Sequence, residues 1–549
     1  MPKFNTQQAR TRAGDSAIVT ETRPSGVTYE GAPGYARDAK SELFLLAVAN
    51  MVSEDTFYES AGDRDNRFEQ LVHQVAVEDP SWTAAFLNWL RNDANMRSAS
   101  LVGALEGARA LLKAGLPGGR QLVGSVLQRA DEPGEAVAYW LSRYGRKIPM
   151  PVKRGIGDAA IRLYNEYSLL KYDTSSHAVR FGDVIELTHP GDRKAGGQRL
   201  QATYRKGAVL YERADDWQGD LFKHAIDRRH NRDNPIPESL EMIAAQAELR
   251  QLAAEQPGLL ADPNNAEALR TAGMTWEDAL SAAGPTVDKA KLWEALIPTM
   301  GYMALLRNLR NFDQAGISGS AVLYVATRLS DPEQVAKSKQ FPFRFLSAHK
   351  ALNSLTYGPA LEAALNMSLA NIPTLSGRTL VLVDRSGSMY GPVAGSRSGL
   401  NRADAAAVFG AALALRNPGD VDLVEYGTWS SYVPYSRGDS LLRLVNEGFH
   451  DMGGTATAAA VKAHYAGHDR VVIVTDEQAH SFDGGTPGER IPAHVPLYTW
   501  NLAGYQYGHT AGGANRHTFG GLTDQAFRMI PLLEAGTSTG WPWETHSNS

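Results

Sequence analysis

One feature constrains this chain more than any other: its hydrophobic period changes once, and for good. From Ser41 onward, apolar residues recur at i, i+3, i+4 and i+7 in segment after segment, as in SELFLLAVANMVS, NRFEQLVHQVAVED, PSWTAAFLNWLRND and SASLVGALEGARALLKAG. The pattern continues through GEAVAYWLSRYG, PESLEMIAAQAELRQLAAEQ and GPALEAALNMSLANI. Short links carry helix-starting residues, with Asp65 before Asn66, Asp79 before Pro80, and Arg97 before Ser98. Strand patterns are nearly absent before residue 378. Helices paired through short turns over such a length predict an α-solenoid of HEAT type, although no strict repeat signature accompanies them.

Past Ile372-Pro373-Thr374 the runs become continuous and β-branched: RTLVLVD, DVDLVEYG, RVVIVTDE and VPLYTWNLAG, with RADAAAVFGAALALRNPG, SLLRLVNEGF and TATAAAVKAHYAG between them. Strands buried on both faces and alternating with helices predict a doubly wound parallel sheet. A last helix, DQAFRMIPLLEAG, is expected to precede a loose tail. The chain is thus expected to divide into a polar N-terminal arm (1–35), a helical part (36–373) and an α/β domain (374–549).

The ends of these strands carry the most specific chemistry. Asp384 closes the first strand, and Ser386 and Ser388 follow at alternate positions. Thr455 follows a Gly-Gly pair at a helix start, and Asp476 closes the strand VVIVT. In a doubly wound sheet these residues share the carboxyl edge, where such folds bind ligands. Two carboxylates among hydroxyls suit a hard divalent cation, Mg²⁺ first and Mn²⁺ second. The alternative is that Asp384 caps the next turn and Asp476 caps a helix. The order D-x-S-x-S, then T, then D resembles the metal-ion-dependent adhesion site (MIDAS) of von Willebrand factor A domains. That resemblance implies a site that docks an acidic group rather than one that catalyses. Neither His464 nor His480 has a spacing that pairs it with a serine, and Glu477 reads as a solvated neighbour of Asp476.

With no cysteine, the chain has no disulfides and no thiolate metal sites. It has no apolar run of membrane-spanning length, and its first residues lack an apolar signal core, so the expected compartment is the cytoplasm. Net charge is −5, but Arg146 to Arg232 holds 17 Lys and Arg against 11 Asp and Glu. A basic segment in an acidic chain is a candidate polyanion footprint, or else a salt-bridged helical surface.

Four helical motifs sharpen the reading. KIPMPVKRGIGDAAIRLYNEYSLLKY, VIELTHP, WEALIPTMGYMALLRNL and QFPFRFLSAHKAL, in this order, resemble the TROVE module of the Ro autoantigen family and its bacterial relatives. The resemblance runs from about Glu30 to Ile372, with the A-type domain behind it. It implies that the HEAT-like helices close into a ring whose ends the A domain joins. It also implies that small noncoding Y-type RNA binds the outer surface and that single-stranded 3′ ends of misfolded or unprocessed RNA enter the hole. The role implied is RNA quality control by a monomer, in bacteria with an exoribonuclease tethered through the RNA.

The family's Lys-Tyr pair and histidine on the outer surface correspond here to Lys171-Tyr172 and His189. Its animal members carry an arginine where this chain has Ser175, a gap that Arg180 is expected to fill. Lys147, Lys153 and Arg154 add phosphate-seeking cations near a helix start. Arg307, Arg310, Arg344 and His349 are the candidates for the hole, where a single strand needs a basic, sequence-tolerant lining. Trp82, Trp89 and Trp140 read as core rather than as base-stacking platforms. The competing reading is an adaptor that grips an acidic protein partner through the A-domain metal, with the solenoid as scaffold. A metal nuclease ranks last, because two convergent aspartates are few for two-metal chemistry.

Overall fold

The structure is a computed structural model. It describes residues 13–49, 55–190, 203–205, 208–210, 217–285, 287–352, 354–370, 372–391, 401–480 and 485–544. The N-terminal arm carries a two-stranded hairpin, β1 (Gly26–Val27) and β2 (Pro33–Gly34). The helices α1 (Ala39–Ala49), α2 (Ala61–Glu78), α3 (Pro80–Asn92), α4 (Arg97–Lys113), α5 (Gly119–Val126), α6 (Glu132–Tyr144), α7 (Met150–Leu163), α8 (Glu166–Tyr172) and α9 (Phe181–Thr188) follow. A short hairpin, β3 (Thr203–Arg205) and β4 (Ala208–Leu210), precedes α10 (Trp217–Arg229), α11 (Glu241–Glu255), α12 (Ala266–Thr271), α13 (Trp276–Ala283) and α14 (Lys289–Leu296). The series ends with α15 (Tyr302–Ala315), α16 (Gly319–Leu329), α17 (Pro332–Ser338), α18 (Pro342–Lys350) and α19 (Gly358–Ser368).

The stacking is local: α4 packs on α2 and α5, α5 on α7, α7 on α9, and α9 on α10. Helices such as α2, α3 and α15 bury one stripe against their neighbours and turn a polar face outward, the packing expected of a solenoid, whereas α1 and α4 are buried over most of their surface. Asp79 caps α3, accepting a hydrogen bond from the Trp82 N–H at 3.0 Å. Asp65 starts nothing; Ser60 caps α2 instead, and Asp65 lies inside the helix. Trp82, Trp89 and Trp140 are core residues.

The chain then builds a six-stranded sheet from β5 (Thr379–Asp384), β6 (Val421–Tyr426), β7 (Ser430–Tyr432), β8 (Arg470–Thr475), β9 (Leu497–Asn501) and β10 (Arg516–Gly520). Their order is β10-β9-β8-β5-β6-β7, and all pairs are parallel except β6–β7. Helices α20 (Arg402–Arg416), α21 (Leu441–Glu447), α22 (Thr457–His464) and α23 (Met529–Glu534) complete the domain. Every residue of β5 and β8 is buried. Val381 and Val383 of β5 face a core continuous with the helical part, whereas Leu380 and Leu382 face a separate core on the other side. The two edge strands, β7 and β10, lack a long apolar run, and the sequence pattern does not reveal them.

The sheet domain touches both ends of the helical series. At the first end, α1 packs on β10, Arg64 Nη2 donates to the Ala503 carbonyl at 2.8 Å, and Arg67 Nη2 donates to that of Gly504 at 2.9 Å. At the last end, α18 and α19 pack on α20 and α21, with Lys350 paired to Asp404 at 2.9 Å. The Lys339 ammonium, just past α17, donates to the Asn92 carbonyl at the end of α3, so late helices meet early ones directly. The result is a closed helical ring joined by an α/β domain.

The described part of the tail departs from expectation. It is not loose: Trp541 and Trp543 stack on each other at 5.5 Å and pack among Phe44, Trp82, Phe86 and Trp89. Burial of that much aromatic surface holds it down. The described part of the arm runs along the α/β domain, where Tyr35 bridges to Gly508, and just past it Arg37 pairs with Glu477 in a fully buried contact.

Candidate metal centre and RNA surface

Strand order fixes the metal site. From β5 the chain steps to β6 on one side and later to β8 on the other, so the carboxyl ends of β5 and β8 flank the topological switch point. Asp384 ends β5 and Asp476 directly follows β8. The second loop is tied to the first: Ser386 and Gly453 form a parallel bridge, and Gly387 N donates to the Gly453 carbonyl at 2.6 Å. Gly453 adopts φ +77°, and a Cβ on Gly454 would lie 2.8 Å from His480 Nε2, so the turn before Thr455 needs both glycines.

Asp384, Ser386, Ser388, Thr455 and Asp476 are all buried. The Ser386 and Ser388 hydroxyls stand 3.2 Å apart. Neighbouring ligands of an octahedral Mg²⁺ with bonds near 2.1 Å are separated by about 3.0 Å, so this edge has the right size. Asp384 accepts from Ser386 N at 2.9 Å and from the Thr475 hydroxyl at 2.6 Å, which leaves its carboxylate fixed. Asp476 Oδ1 accepts from Gln478 N at 3.1 Å, while the buried Oδ2 has no hydrogen-bond partner. Burial raises the Asp384 carboxyl above its ordinary range; burial and then the Asp384 charge push Asp476 up to about 7. Two buried carboxylates that resist ionisation, one with an oxygen left without a hydrogen-bond partner among the described residues, make a donor set that a cation would fit. Among the described residues no group of three or more His, Cys, Asp or Glu gathers as a metal cluster, in keeping with a site made half of hydroxyls.

Three residues near this site differ from the sequence reading. Glu477 is not solvated: it is fully buried, adopts φ +64°, pairs with Arg37 and accepts from Asn501 Nδ2. His464 does meet a serine, with Nε2 2.9 Å from Ser430 Oγ on the edge strand β7. Among the described residues no carboxylate hydrogen-bonds its other ring nitrogen, so no triad forms. Thr475 orients Asp384 from within β8, a role that a strand-buried threonine does not advertise in sequence.

The basic segment divides into engaged and free cations. Arg180 is turned inward, with Nη2 2.5 Å from Asp173 Oδ2, and Arg228 shares that carboxylate at 3.4 Å. It does not fill the gap at Ser175; it fastens the start of α9 to the end of α8. Arg229 pairs with Asp183 and Arg232 with Asp227. Lys147, Lys153, Arg154 and Lys171 form no ion pair among the described residues, and all but the half-buried Lys153 are exposed. Lys153 and Arg154 lie on the first turns of α7, and Lys171 closes α8, its ammonium 5.5 Å from the Tyr167 ring and 5.3 Å from the Tyr172 ring. His189 follows α9 in the left-handed conformation and comes close enough to Lys153 for that charge, after burial, to lower its pKa. Residues 36 apart thus join into one surface. Residues 191–202 of the basic segment lie outside the described residues.

On the other motifs, Arg307 and Arg310 are exposed on α15, three residues apart and without an ion pair among the described residues. Arg344 and His349 are half-buried on α18, with Arg344 over the Phe343 ring at 5.6 Å.

Residues 269–358 match the family described as the TROVE domain. Telomerase protein component 1 of Mus musculus and of Rattus norvegicus are each 45% identical over 102 residues, 18% of this chain. The chain spans only 4% of the length of these curated relatives. Among solved structures, the crystal structure of the Deinococcus radiodurans Ro (RSR) protein superposes with a TM-score of 0.58 at 16% identity, covering 91% of this chain and all of that one. The class is therefore a helical ring closed by a von Willebrand factor A-type domain. Residues 269–358 are thus similar to the TROVE domain, and the chain as a whole has the fold of the Ro protein.

Proposed function

We propose that this protein binds structured RNA through the cations at the starts and ends of α7, α8 and α9, takes single-stranded 3′ ends into the ring, and serves RNA quality control without catalysis of its own. The observation that carries the reading is the set of cations left without ion pairs among the described residues. Lys147, Lys153, Arg154 and Lys171 stay available while their neighbours Arg180, Arg228, Arg229 and Arg232 are consumed by carboxylates. Available cations release counterions on meeting phosphate, which supplies affinity with little sequence preference. The surface is of the kind that small noncoding, Y-type RNA occupies, and Arg307, Arg310, Arg344 and His349 are proposed to meet the single strand.

The metal centre has a separate task. Asp384, Ser386, Ser388, Thr455 and Asp476 would hold Mg²⁺ or Mn²⁺, which supplies a point of attachment for an acidic oxygen ligand. We place the protein in the cytoplasm as a monomer, with any exoribonuclease partner tethered through RNA.

The test is binding of a structured RNA with a 3′ single-stranded tail, followed by fluorescence anisotropy across a salt series. Lys153→Glu/Arg154→Glu is expected to weaken binding at least tenfold and to reduce the salt slope by about two. Equal affinity and slope in that variant would overturn the reading.

A further inference from the structure

The metal loops are covered by parts of the chain that have no role in building them. Residues 28–31 of the arm run antiparallel along 478–480, just past Asp476: the Thr28 hydroxyl donates to the Ala479 carbonyl at 2.8 Å, Tyr29 N donates to Gln478 Oε1 at 2.8 Å, and Gly31 bridges to His480. The α1–α2 connection supplies a second cover, Tyr58, whose ring stacks on Tyr29 at 4.9 Å and meets the buried Tyr505 edge-on at 5.6 Å. Between these covers sits one carboxylate, Glu30. Its Oε1 accepts the Tyr58 hydroxyl, and its Oε2 lies 3.0 Å from His480 Nδ1.

Each of those two neighbours touches a metal loop. The Tyr58 hydroxyl interacts with the Ser388 side chain and lies within the field of Asp476. His480 Nε2 lies against Gly454, and His480 N donates to the Thr455 carbonyl at 3.0 Å. Glu30 is therefore one side chain away from two of the five donor residues, Ser388 through Tyr58 and Thr455 through His480. It keeps a quarter of its side-chain surface exposed, and among the described residues it pairs with His480 and with no arginine or lysine. An octahedral cation with few protein ligands has room for one further carboxylate oxygen.

We propose that Glu30 is this chain's own acidic ligand for the A-domain cation, and that cation binding thereby fastens the N-terminal arm, and with it the first helices of the ring, to the α/β domain. The proposal rests on the reading of Asp384 and its partners as a cation site. It gives the adaptor reading a condition as well, because an acidic partner would first have to displace Glu30.

Mn²⁺ binding by calorimetry on the full chain, with amide hydrogen exchange across residues 25–35 of the arm as a second readout, tests it. In the wild type, Mn²⁺ is expected to bind and to slow exchange across that segment at least fivefold. Asp384→Ala should lose both. Glu30→Gln, which retains a hydrogen-bonding side chain of the same shape, should bind Mn²⁺ about tenfold more weakly and lose the Mn²⁺-dependent protection. Glu21→Gln on the same arm should behave as the wild type. If the wild type binds Mn²⁺ and Glu30→Gln matches it in affinity and protection, the proposal is overturned while the cation site stands. If the wild type binds no Mn²⁺, the cation site falls and the proposal falls with it.

Discussion

The helical ring and the α/β domain are stabilised by different geometries. A ring helix such as α16 buries only Val325 and Leu329 and leaves Leu323 67% exposed, whereas β5 and β8 bury every residue they have. The ring is a chain of nearest-neighbour contacts, each modest. The sheet is a two-sided core in which each strand residue has a full set of neighbours. Surface chemistry follows the same division. The ring has exposed polar faces on which unpaired lysines and arginines can stand at little cost, and the sheet domain concentrates its chemistry at one buried strand edge. The proposed polyanion surface and the proposed metal centre thus sit where the two architectures most readily support them.

Substitutions can break this comparison, beginning with the contact that joins the two parts. Arg37→Ala leaves Glu477 buried without its cation and is expected to cost about 3–5 kcal/mol, read as loss of chemical-denaturation stability. Leu382→Ala in β5 should cost about 3 kcal/mol through lost transfer and a cavity in the second core. Leu323→Ala on the ring surface should change stability by less than about 0.5 kcal/mol by the same measurement. Equal costs at Leu382 and Leu323 would erase the proposed contrast.

A pH titration sharpens it at the sheet edge. Burial lowers the pKa of His517 in β10 to about 4, with Asp15 opposing that shift and Arg516 adding to it. Between about 4 and 6.5 the unfolded chain binds the proton that the folded chain refuses, so stability rises with pH across that window and falls as acid is added. His517→Gln should flatten this slope in urea melts taken from pH 4.5 to 7. The smallest effect expected is on RNA: Asp384→Ala should leave affinity for a tailed, structured RNA within twofold of wild type by anisotropy. A tenfold loss would show that metal centre and RNA surface are coupled rather than separate.

The basic segment teaches what sequence can and cannot sort. Its excess of positive charge is visible as a count, but the count treats Arg180 and Lys171 alike. Arg180 faces Asp173 across a helix junction and is spent there, while Lys171 stands over two tyrosine rings on the outside. Nor do Lys153 and His189 announce that they are neighbours. Packing of α9 on α7 brings them together.

The shared strand edge of the candidate metal residues was more legible, because these residues sit at ends of apolar runs, and a run of β-formers states its own direction and depth. By itself the sequence determined two hydrophobic periods, and hence a helical series followed by a buried parallel sheet. It also placed five oxygen donors at loop positions that such a sheet gathers on one edge. Those are local properties, carried by spacing along a few residues. Tertiary structure decided what depends on contacts across hundreds of positions: that the tail packs its tryptophans on the first helices, that Glu477 is buried by Arg37, and that Glu30 lies between Tyr58 and His480. No spacing rule reaches from residue 30 to residue 480. Only the closing of the ring, driven by apolar surface that neither end can bury alone, brings them within a hydrogen bond.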